Sequence, residues 1–536
     1  MKRWIVLLCT FVFILSMTGC GDIEESGSGA GGDATEAEEM DKKNENNGNQ
    51  APGESSRPAL ELGTTQIWEG DTEKDIVYAA GSHSTLRLTA DSQEKYPELS
   101  AALDEYMSDR TMTLKGEIEQ FVESLKENTT MPEDSSGGYV THDKLFVRRS
   151  DNHVLSILIY NFTDSGGAHG LYGYSSLNLD TASGKTLALE DVIINTDLLS
   201  QRIKEELIDK YGKDSFFDEM EQTIDQGIKG EDGYKLTWTL DPQGITFYFN
   251  PYEIGPYASG IQSISLLYDQ EKDLFTDQYY PEGGGYICEL PANLDYYVDV
   301  DRDGKTDRLS ITYSGDQETG DIIGLLVAVN DQKLHFEDFY CYELMPKLVF
   351  ASDGKVYLDT WRTMDNDYVS VHLFDLSDGI PISIGNMDLA PAYRSAEEDG
   401  TGFETYTDVL TDPGNMFLTT RFNLLSTYDA GKTYQILDTP NPVSDEKYYT
   451  ILRDLALTSR MDVTADLVDE TGNVTESSQT IPSGSSFKLY RTDGKKIVDA
   501  LLDDGRIVRF TVEGDYPQTV NDINAEDLFQ ELFYAG

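Results

Sequence analysis

Apolar and polar positions change their spacing several times along this chain, and each spacing predicts a different element. From Ile76 to Leu88 they alternate, as they do in a strand with one buried side. Helical spacing follows and predicts two helices, at about Tyr96 to Met107 and Leu114 to Leu125. The apolar face of the second helix would comprise Leu114, Ile118, Phe121, Val122 and Leu125.

Strand patterns return after this helical region and continue to about residue 285. Three predicted strands run from Lys144 to Arg149, from Val154 to Phe162 and from Leu171 to Leu179. A further amphipathic helix is expected to stop at Gly212, a C-cap glycine. Its apolar positions are Leu199, Ile203, Leu207 and Ile208. The last strands are predicted at Lys235 to Leu240, Ile245 to Asn250 and Ile261 to Leu267. Helices segregated from antiparallel strands predict an α+β domain over residues 59–285.

From residue 286 the pattern becomes that of β-structure. Asp-Gly pairs, which favour hairpin turns, recur between apolar runs at Asp353-Gly354, Asp378-Gly379, Asp493-Gly494 and Asp504-Gly505. Residues 286–479 are therefore expected to form a β-rich domain, for which a sandwich and a partial propeller both stay open. Residues 480–536 contain tight strands and a short helix at Ala525 to Phe533, and they resemble the small SH3-like β-barrels of exported proteins.

The beginning of the chain has the pattern of a secretory signal. Lys2 and Arg3 precede a short apolar run, Trp4 to Leu15. The Met-Thr-Gly-Cys sequence that ends at Cys20 resembles the lipobox of bacterial lipoproteins. Residues 1–19 are therefore interpreted as a signal peptide, and Cys20 as the lipid-bearing residue at the outer face of a Gram-positive cytoplasmic membrane. The alternative is an uncleaved anchor helix, although the run is shorter than the roughly 20 residues that span a bilayer.

Residues 20–58 are rich in Gly, Ser, Asn, Asp and Glu and poor in large apolar side chains. Such a composition buries too little surface to offset chain entropy, so a disordered acidic linker is expected. The whole chain has 97 acidic against 41 basic residues, a formal charge of -56. This charge disfavours nucleic acid as a partner and favours cationic proteins or divalent cations. The alternative is that acidic surfaces simply keep the protein soluble.

Four cysteines occur in the chain. Cys9 would leave with the signal peptide and Cys20 would be acylated. Cys288 and Cys341 remain, and one disulfide or two buried thiols are both compatible with an exported protein. The spacing of Cys and His residues gives no indication of a zinc site.

Two stretches of the α+β segment resemble a known family. They are residues 159–193, with the Gly-Gly-Ala-His-Gly turn, and residues 244–268, with Phe-Asn-Pro-Tyr-Glu-Ile-Gly-Pro-Tyr-Ala-Ser-Gly. Together they resemble the extracellular domain of RsiV, which also precedes the catalytic part of PdaC-type peptidoglycan deacetylases. In RsiV, an anti-sigma factor, this domain binds lysozyme. The resemblance therefore implies an antiparallel sheet with helices that recognises lysozyme, another cationic protein or peptidoglycan.

The rest of the chain departs from both relatives. A cytoplasmic signalling domain is not expected, because only three residues precede the first apolar run. The deacetylase chemistry needs an Asp and two metal-binding His. The segment after 285 has only His335 and His372, and its Asp503-Asp504-Gly505 resembles a hairpin turn instead of the catalytic Asp motif. The expected function is thus a recognition lipoprotein without catalysis. The alternatives are a peptidoglycan-modifying enzyme with its site in residues 286–480, or a glycan-binding accessory protein.

An acidic loop predicts a calcium site. Asp299, Asp301 and Asp303 alternate before Gly304, and Asp307 follows. Ca²⁺ takes several oxygen ligands from a tightly curved backbone, so these carboxylates and the Lys305 carbonyl are the expected ligands. An EF-hand would place Glu where this chain has Ser310. The sequence instead resembles the calcium loops of FG-GAP repeats, and the alternative is a solvated acidic turn.

Four residues of the two family-like stretches are candidates for ligand contact: His169 in the glycine-rich turn, and Tyr252, Glu253 and Tyr257 in the later loop. The alternatives are that His169 shapes its hairpin and that the aromatic residues belong to the core. No nucleophile motif such as Gly-x-Ser-x-Gly or His-Glu-x-x-His is present, so no catalytic residue is assigned.

Overall fold

A computed structural model describes the chain from Arg57 to Tyr534 with several gaps. The described residues are 57–71, 76–127, 138–166, 169–316, 320–336, 339–364, 368–389, 396–398, 403–409, 413, 416–435, 443–452, 455–514 and 517–534. The predicted signal peptide, Cys20 and almost all of the predicted linker lie outside them. Arg57, at the end of the predicted linker, is buried against the ring of Tyr286. No helix of the described part is long and apolar enough to cross a membrane.

The first part of the chain builds most of one sheet. Its strands are β1 (Leu60–Asp71), β2 (Ile76–Leu88), β3 (Tyr139–Ser150), β4 (Val154–Asp164) and β5 (Leu171–Asp180). Helices α1 (Ala90–Lys95) and α2 (Pro97–Glu127) connect β2 to β3, which pair in parallel. The two helices expected here form the single helix α2, because residues 108–113 between them contain neither Gly nor Pro and the Thr111 hydroxyl bonds within the helix to the Met107 carbonyl.

A helical layer and a three-stranded sheet follow. Their elements are α3 (Leu189–Val192), α4 (Thr196–Tyr211), α5 (Met220–Lys229), β6 (Thr237–Leu240), β7 (Gly244–Phe249) and β8 (Gln262–Leu267). The predicted end of α4 is confirmed, since Gly212 takes the positive φ of 79° that favours glycine. Helix α5 was not predicted from the pattern. The buried faces of α4 and α5 pack with the three strands into one apolar core.

Two antiparallel sheets come next, one of four strands and one of five. The strands are β9 (Tyr286–Glu289), β10 (Asp295–Val298), β11 (Asp307–Gly315), β12 (Ile322–Val329), β13 (Gln332–Phe336), β14 (Glu343–Phe350), β15 (Val356–Met364), β16 (Tyr368–Asp375) and β17 (Ile382–Leu389). Gly354 and Gly379 both have positive φ in the turns that join adjacent strands of the five-stranded sheet, so the hairpins predicted at these Asp-Gly pairs are confirmed.

The β-rich part is continuous with the α+β part. Phe146, Leu158 and Tyr174 of the first sheet share a core with side chains that extend to Leu376, so the predicted boundary at 285 falls within one core. Strands β18 (Ala396–Glu398) and β19 (Phe403–Val409) add to the first sheet beside β1, which makes it seven-stranded. Residues from both sides of the predicted boundary thus build the same sheet.

The last part of the chain forms an eleven-stranded sheet. Its elements are β20 (Met416–Asn423), β21 (Thr427–Tyr434), β22 (Tyr449–Ile451), β23 (Ala456–Thr458), β24 (Val463–Val468), β25 (Val474–Ile481), β26 (Ser486–Thr492), β27 (Ile497–Leu501), β28 (Ile507–Glu513), β29 (Thr519–Val520), β30 (Ile523–Asn524) and helix α6 (Ala525–Leu528). The strands predicted after residue 480 are present. They belong to this open sheet, however, and the described residues do not form the expected closed SH3-like barrel. The broad α+β class is confirmed.

Candidate functional site

One face of the seven-stranded sheet becomes aromatic toward the end of β4. Tyr160 and Phe162 of β4 lie opposite Tyr174 and Tyr172 of β5. Residues that are directly opposite in antiparallel strands point to the same face, so these four rings form one group. At the start of β4 the same face is covered by the β-rich part through Leu158. Near the end of β4 the described residues of the β-rich part leave the rings of Tyr160, Phe162 and Tyr172 partly accessible to solvent.

The loop after β7 brings further rings to this place. Asn250 ties the loop to β5, because its side chain accepts a bond from the Tyr174 backbone nitrogen at 2.6 Å and donates to the Tyr174 carbonyl at 3.0 Å. Glu253 accepts a bond from the Asn250 nitrogen at 2.7 Å and another from the Tyr234 hydroxyl. Burial raises the pKa of Glu253. Glu253 therefore holds the loop from within, while Tyr252 projects outward at 58% exposure with a positive φ of 70°.

Three of the four predicted contact residues come together here. The rings of His169 and Tyr257 stack with their centroids 4.4 Å apart. Tyr252 and Tyr172 approach the same Tyr257 ring, at 5.4 and 5.7 Å between centroids. We call His169, Tyr172, Tyr252 and Tyr257 the aromatic surface. Tyr172 was missed in the sequence because it lies in a strand pattern, and only its cross-strand position places it at the surface.

The environment of His169 does not resemble that of a general base. Its Nδ1 lies 3.0 Å from the Gly170 carbonyl oxygen. Asp164, the nearest carboxylate in sequence, accepts a bond from the Gly166 nitrogen at 2.8 Å. Among the described residues no carboxylate is hydrogen-bonded to His169, so the orienting partner that a catalytic imidazole needs is not found in this part of the chain.

The acidic loop between β10 and β11 brings three of its four aspartates together. Carboxylate oxygens of Asp299, Asp301 and Asp307 all lie within 4.8 Å of one another. Asp303 turns away and accepts bonds from the backbone nitrogen of Lys305, at 2.8 Å, and from its ammonium group. The described part of the chain therefore supports a smaller set of carboxylate ligands than the sequence predicted.

The backbone of the loop fits a curved cation site. Gly304 has a positive φ of 82°, and its nitrogen donates to Oδ2 of Asp299 at 3.0 Å. Asp307 is buried and fixed by the Asn330 amide at 2.7 Å. The other carboxylate oxygen of Asp299, Oδ1, is buried and has no hydrogen-bond partner in the described part. Desolvation raises the pKa of Asp299, and a cation that bound Oδ1 would compensate for this loss of hydration.

The same loop is attached to the α+β part. The side chain of Gln243, in the turn between β6 and β7, accepts a bond from the Asp299 nitrogen at 2.9 Å and donates to the Asp299 carbonyl at 2.8 Å. Gln270 donates to the Gly304 carbonyl at 3.2 Å. A cation held by the aspartates would therefore sit at the junction of the two parts.

A buried charge cluster, which was not predicted from the sequence, lies at the same junction. Glu289 accepts a bond from the Val147 nitrogen at 2.9 Å and pairs with the Lys347 ammonium at 2.8 Å. Asp359 lies opposite Lys347 in the β14–β15 ladder and is only 6% exposed. Burial raises the pKa of Asp359 from 3.8 to about 7, although Lys347 opposes the rise. Four strands contribute these residues, so no local spacing could predict the cluster.

The two cysteines after the predicted lipidation site are both buried and free, so the structure has two thiols rather than the alternative disulfide. Burial raises the pKa of Cys341 to about 12 and that of Cys288 further. Protonated, inaccessible thiols are poor nucleophiles and poor metal ligands, which gives them a packing role.

The fold and the site define a class: an α+β protein of several sheets with an exposed aromatic surface at the uncovered end of one sheet. Residues 191–269 of this chain match the DUF3298 family, which is described as a protein of unknown function. The matched segment contains Tyr252, Glu253 and Tyr257, and it ends before the acidic loop.

Two solved structures of that family are similar to part of this chain. A member from Bacteroides fragilis is 21% identical, with 41% of this chain and 95% of that chain covered and a TM-score of 0.30. A member from Pseudomonas aeruginosa PAO1 is 17% identical, with 43% and 98% covered and a TM-score of 0.30. Comparison with curated proteins found no match.

Proposed function

We propose that this protein is a lipid-anchored recognition protein of the bacterial envelope, and that its aromatic surface binds a cationic protein such as lysozyme. The observation that carries the proposal is the cluster of His169, Tyr172, Tyr252 and Tyr257 at the uncovered end of the sheet. The resemblance of the same two stretches to the RsiV extracellular domain points to the same kind of partner.

The chemistry of the surface suits a basic partner. Tyrosine is enriched among the residues that dominate binding energy at protein interfaces. Phenol faces also attract guanidinium and ammonium groups. Among the described residues no lysine or arginine lies over the rings of Tyr172, Tyr252 or Tyr257, so no cation of the described part competes with a partner for them. The formal charge of -56 would accelerate encounter with a cationic protein and make binding weaken with salt.

The binding test uses the protein from Arg57 onward and hen lysozyme, at low and at high salt. We expect binding that weakens with salt. Tyr252→Ala and Tyr257→Ala should each reduce affinity by about tenfold, the scale of an interface hot spot. Tyr490→Ala, a partly exposed tyrosine of the last sheet, is the matched control and should leave affinity unchanged. Equal affinity in all four proteins would contradict the proposal.

Catalysis is the rival function, and the same protein preparation tests it. Release of amine, acetate or reducing sugar from purified peptidoglycan would favour a peptidoglycan-modifying enzyme.

The lipid anchor requires a separate experiment, because Cys20 lies outside the described residues. Labelling of cells with a fatty-acid analogue should mark the wild-type protein and not Cys20→Ala. An unlabelled wild-type protein would contradict lipid anchoring.

The acidic loop adds a proposed calcium site formed by Asp299, Asp301 and Asp307. Calcium at 100 times its Kd would stabilise the folded protein by about 2.7 kcal/mol. We expect calcium to raise the melting temperature of wild type by several degrees and to have no such effect on Asp301→Ala. Asp303→Ala is the matched control, because Asp303 pairs with Lys305 and should leave the calcium effect intact. A rise in all three proteins, or in none, would contradict the site.

A further inference from the structure

The aromatic surface does not end at the hairpin and the loop that define it. Tyr172 lies 6.5 Å from Tyr160, measured between ring centroids, and Tyr160 lies nearer the β-rich part. Burial raises the pKa of Tyr160, and the phenols of Tyr172, Tyr313 and Tyr257 add to the rise. A row of tyrosine rings thus leads from the loop after β7 to Tyr160. Tyr313, in β11, packs against the same core as Tyr160.

Tyr160 and Tyr313 both contact the core that the two parts share. Tyr160 and Tyr313 are partly buried and pack against that core, which joins β4 and β5 to β9–β12 and β14–β16. Packed interiors are close to crystalline in density, so the positions of the two rings are fixed relative to each other. The two rings therefore belong to one packed unit rather than to two independently moving domains.

An ion pair borders the row on the β-rich side. Lys144 of β3 lies opposite Tyr160 of β4. Its ammonium pairs with Glu343 at the start of β14, and the two side chains are 30% and 49% exposed. Exposed ion pairs of this kind contribute little to stability, about 0 to 1 kcal/mol. Glu343 can therefore exchange Lys144 for another cation at small cost.

We propose that the partner-binding surface is composite. It runs from His169 and Tyr252 across Tyr160 to Tyr313 and Glu343, and a cationic partner inserts a basic side chain that displaces Lys144 from Glu343. The inference rests on the proposed function, since it assigns the second half of the same surface. Charge complementarity selects the occupant: Glu343 offers an exposed carboxylate near partly accessible phenols, which suits a lysine or arginine of a protein.

The test compares two lysine substitutions that change net charge equally. Lys144→Met removes the internal competitor for Glu343, and we expect affinity for lysozyme to increase about threefold to tenfold. Lys495→Met removes an exposed lysine from the turn between β26 and β27, and it should change affinity by less than twofold. An unchanged or weaker affinity in Lys144→Met, or an equal increase in both variants, would overturn the composite surface.

A second variant tests the aromatic end of the proposal. Tyr313→Ala should reduce lysozyme affinity about fivefold to tenfold, while Tyr490→Ala does not, and circular dichroism should confirm that both fold. In one outcome, wild type binds lysozyme more tightly than Tyr252→Ala does while Tyr313→Ala and Lys144→Met behave as their controls. That result would refute the composite surface and leave the proposed function standing. If wild type does not bind lysozyme, the proposed function fails and the composite surface falls with it.

Discussion

Replacing Asp359 with asparagine tests the charge cluster at the junction of the two parts. Asp359 is buried beside Lys347, whose ammonium is already paired with Glu289. The buried carboxylate has to lose its hydration when it ionises, and this cost raises its pKa to about 7. Asparagine has the same shape and no charge, so the substitution removes the titration while preserving the packing.

The sign and size of the effect follow from linkage. The folded-state pKa of Asp359 lies above its ordinary value of 3.8, so the folded protein holds the proton more tightly than the unfolded chain. The stabilising contribution is complete below pH 3.8 and is lost as the pH rises to about 7. A difference of about three pH units, at about 1.4 kcal/mol each, sets an upper limit of about 4 kcal/mol. Relaxation around the charge should reduce the measured loss to about 1 to 3 kcal/mol.

Urea unfolding followed by circular dichroism, at pH 5 and pH 8, measures this effect. The wild-type free energy of unfolding should fall relative to that of Asp359→Asn as the pH increases across this window. The control is Asp353→Asn, in an exposed turn where the side-chain oxygen accepts a bond from the Lys355 nitrogen, which asparagine preserves. Parallel pH dependences of wild type and Asp359→Asn would refute the reasoning.

Three further predictions concern packing. Cys288 and Cys341 should react with a thiol reagent only after unfolding, whereas one fast-reacting thiol in the native protein would contradict their burial. Leu158→Ala, at a fully buried position of the core common to both parts, should lower the free energy of unfolding by about 2 to 5 kcal/mol, and a loss below 1 kcal/mol would refute the shared core. Gly244→Ala should lower the melting temperature, because the added Cβ would lie 2.2 Å from the Leu266 carbonyl oxygen, and an unchanged melting temperature would contradict the close approach.

The sequence predicted local elements well wherever the apolar pattern alone determines them. Strand β2 has the predicted bounds, and β4 starts at the predicted Val154. Gly212 ends α4 because only glycine readily takes its backbone conformation. Such features depend on neighbours within a few residues, which a single sequence displays directly.

Long-range pairing could not be predicted in the same way. Nothing in the apolar pattern of β19 indicates that it adds to β1 instead of to a neighbouring hairpin. The core shared by residues before and after 285 could not be predicted for the same reason. The change from a mixed to a β-rich pattern at this position describes local elements and not which of their faces pack together.

The candidate site likewise combines features that local spacing indicates with features that depend on tertiary structure. The spacing of the acidic loop predicted carboxylates that lie together, and those of Asp299, Asp301 and Asp307 do so. Asp303 instead bonds to Lys305, two residues later in the chain. Loop position indicated Tyr252 and Tyr257, whereas Tyr172 could be placed beside them only from the tertiary structure.

The pairing of β19 with β1 has a consequence for how the protein is made. Leu60 is bonded in register with Val409, about 350 residues further along the chain. Until that distant strand has been synthesised, β1 presents an unpaired edge, the kind of template on which incomplete chains aggregate. Maturation should therefore be slow and dependent on chaperones that shield this edge, with truncations before residue 409 accumulating as insoluble material.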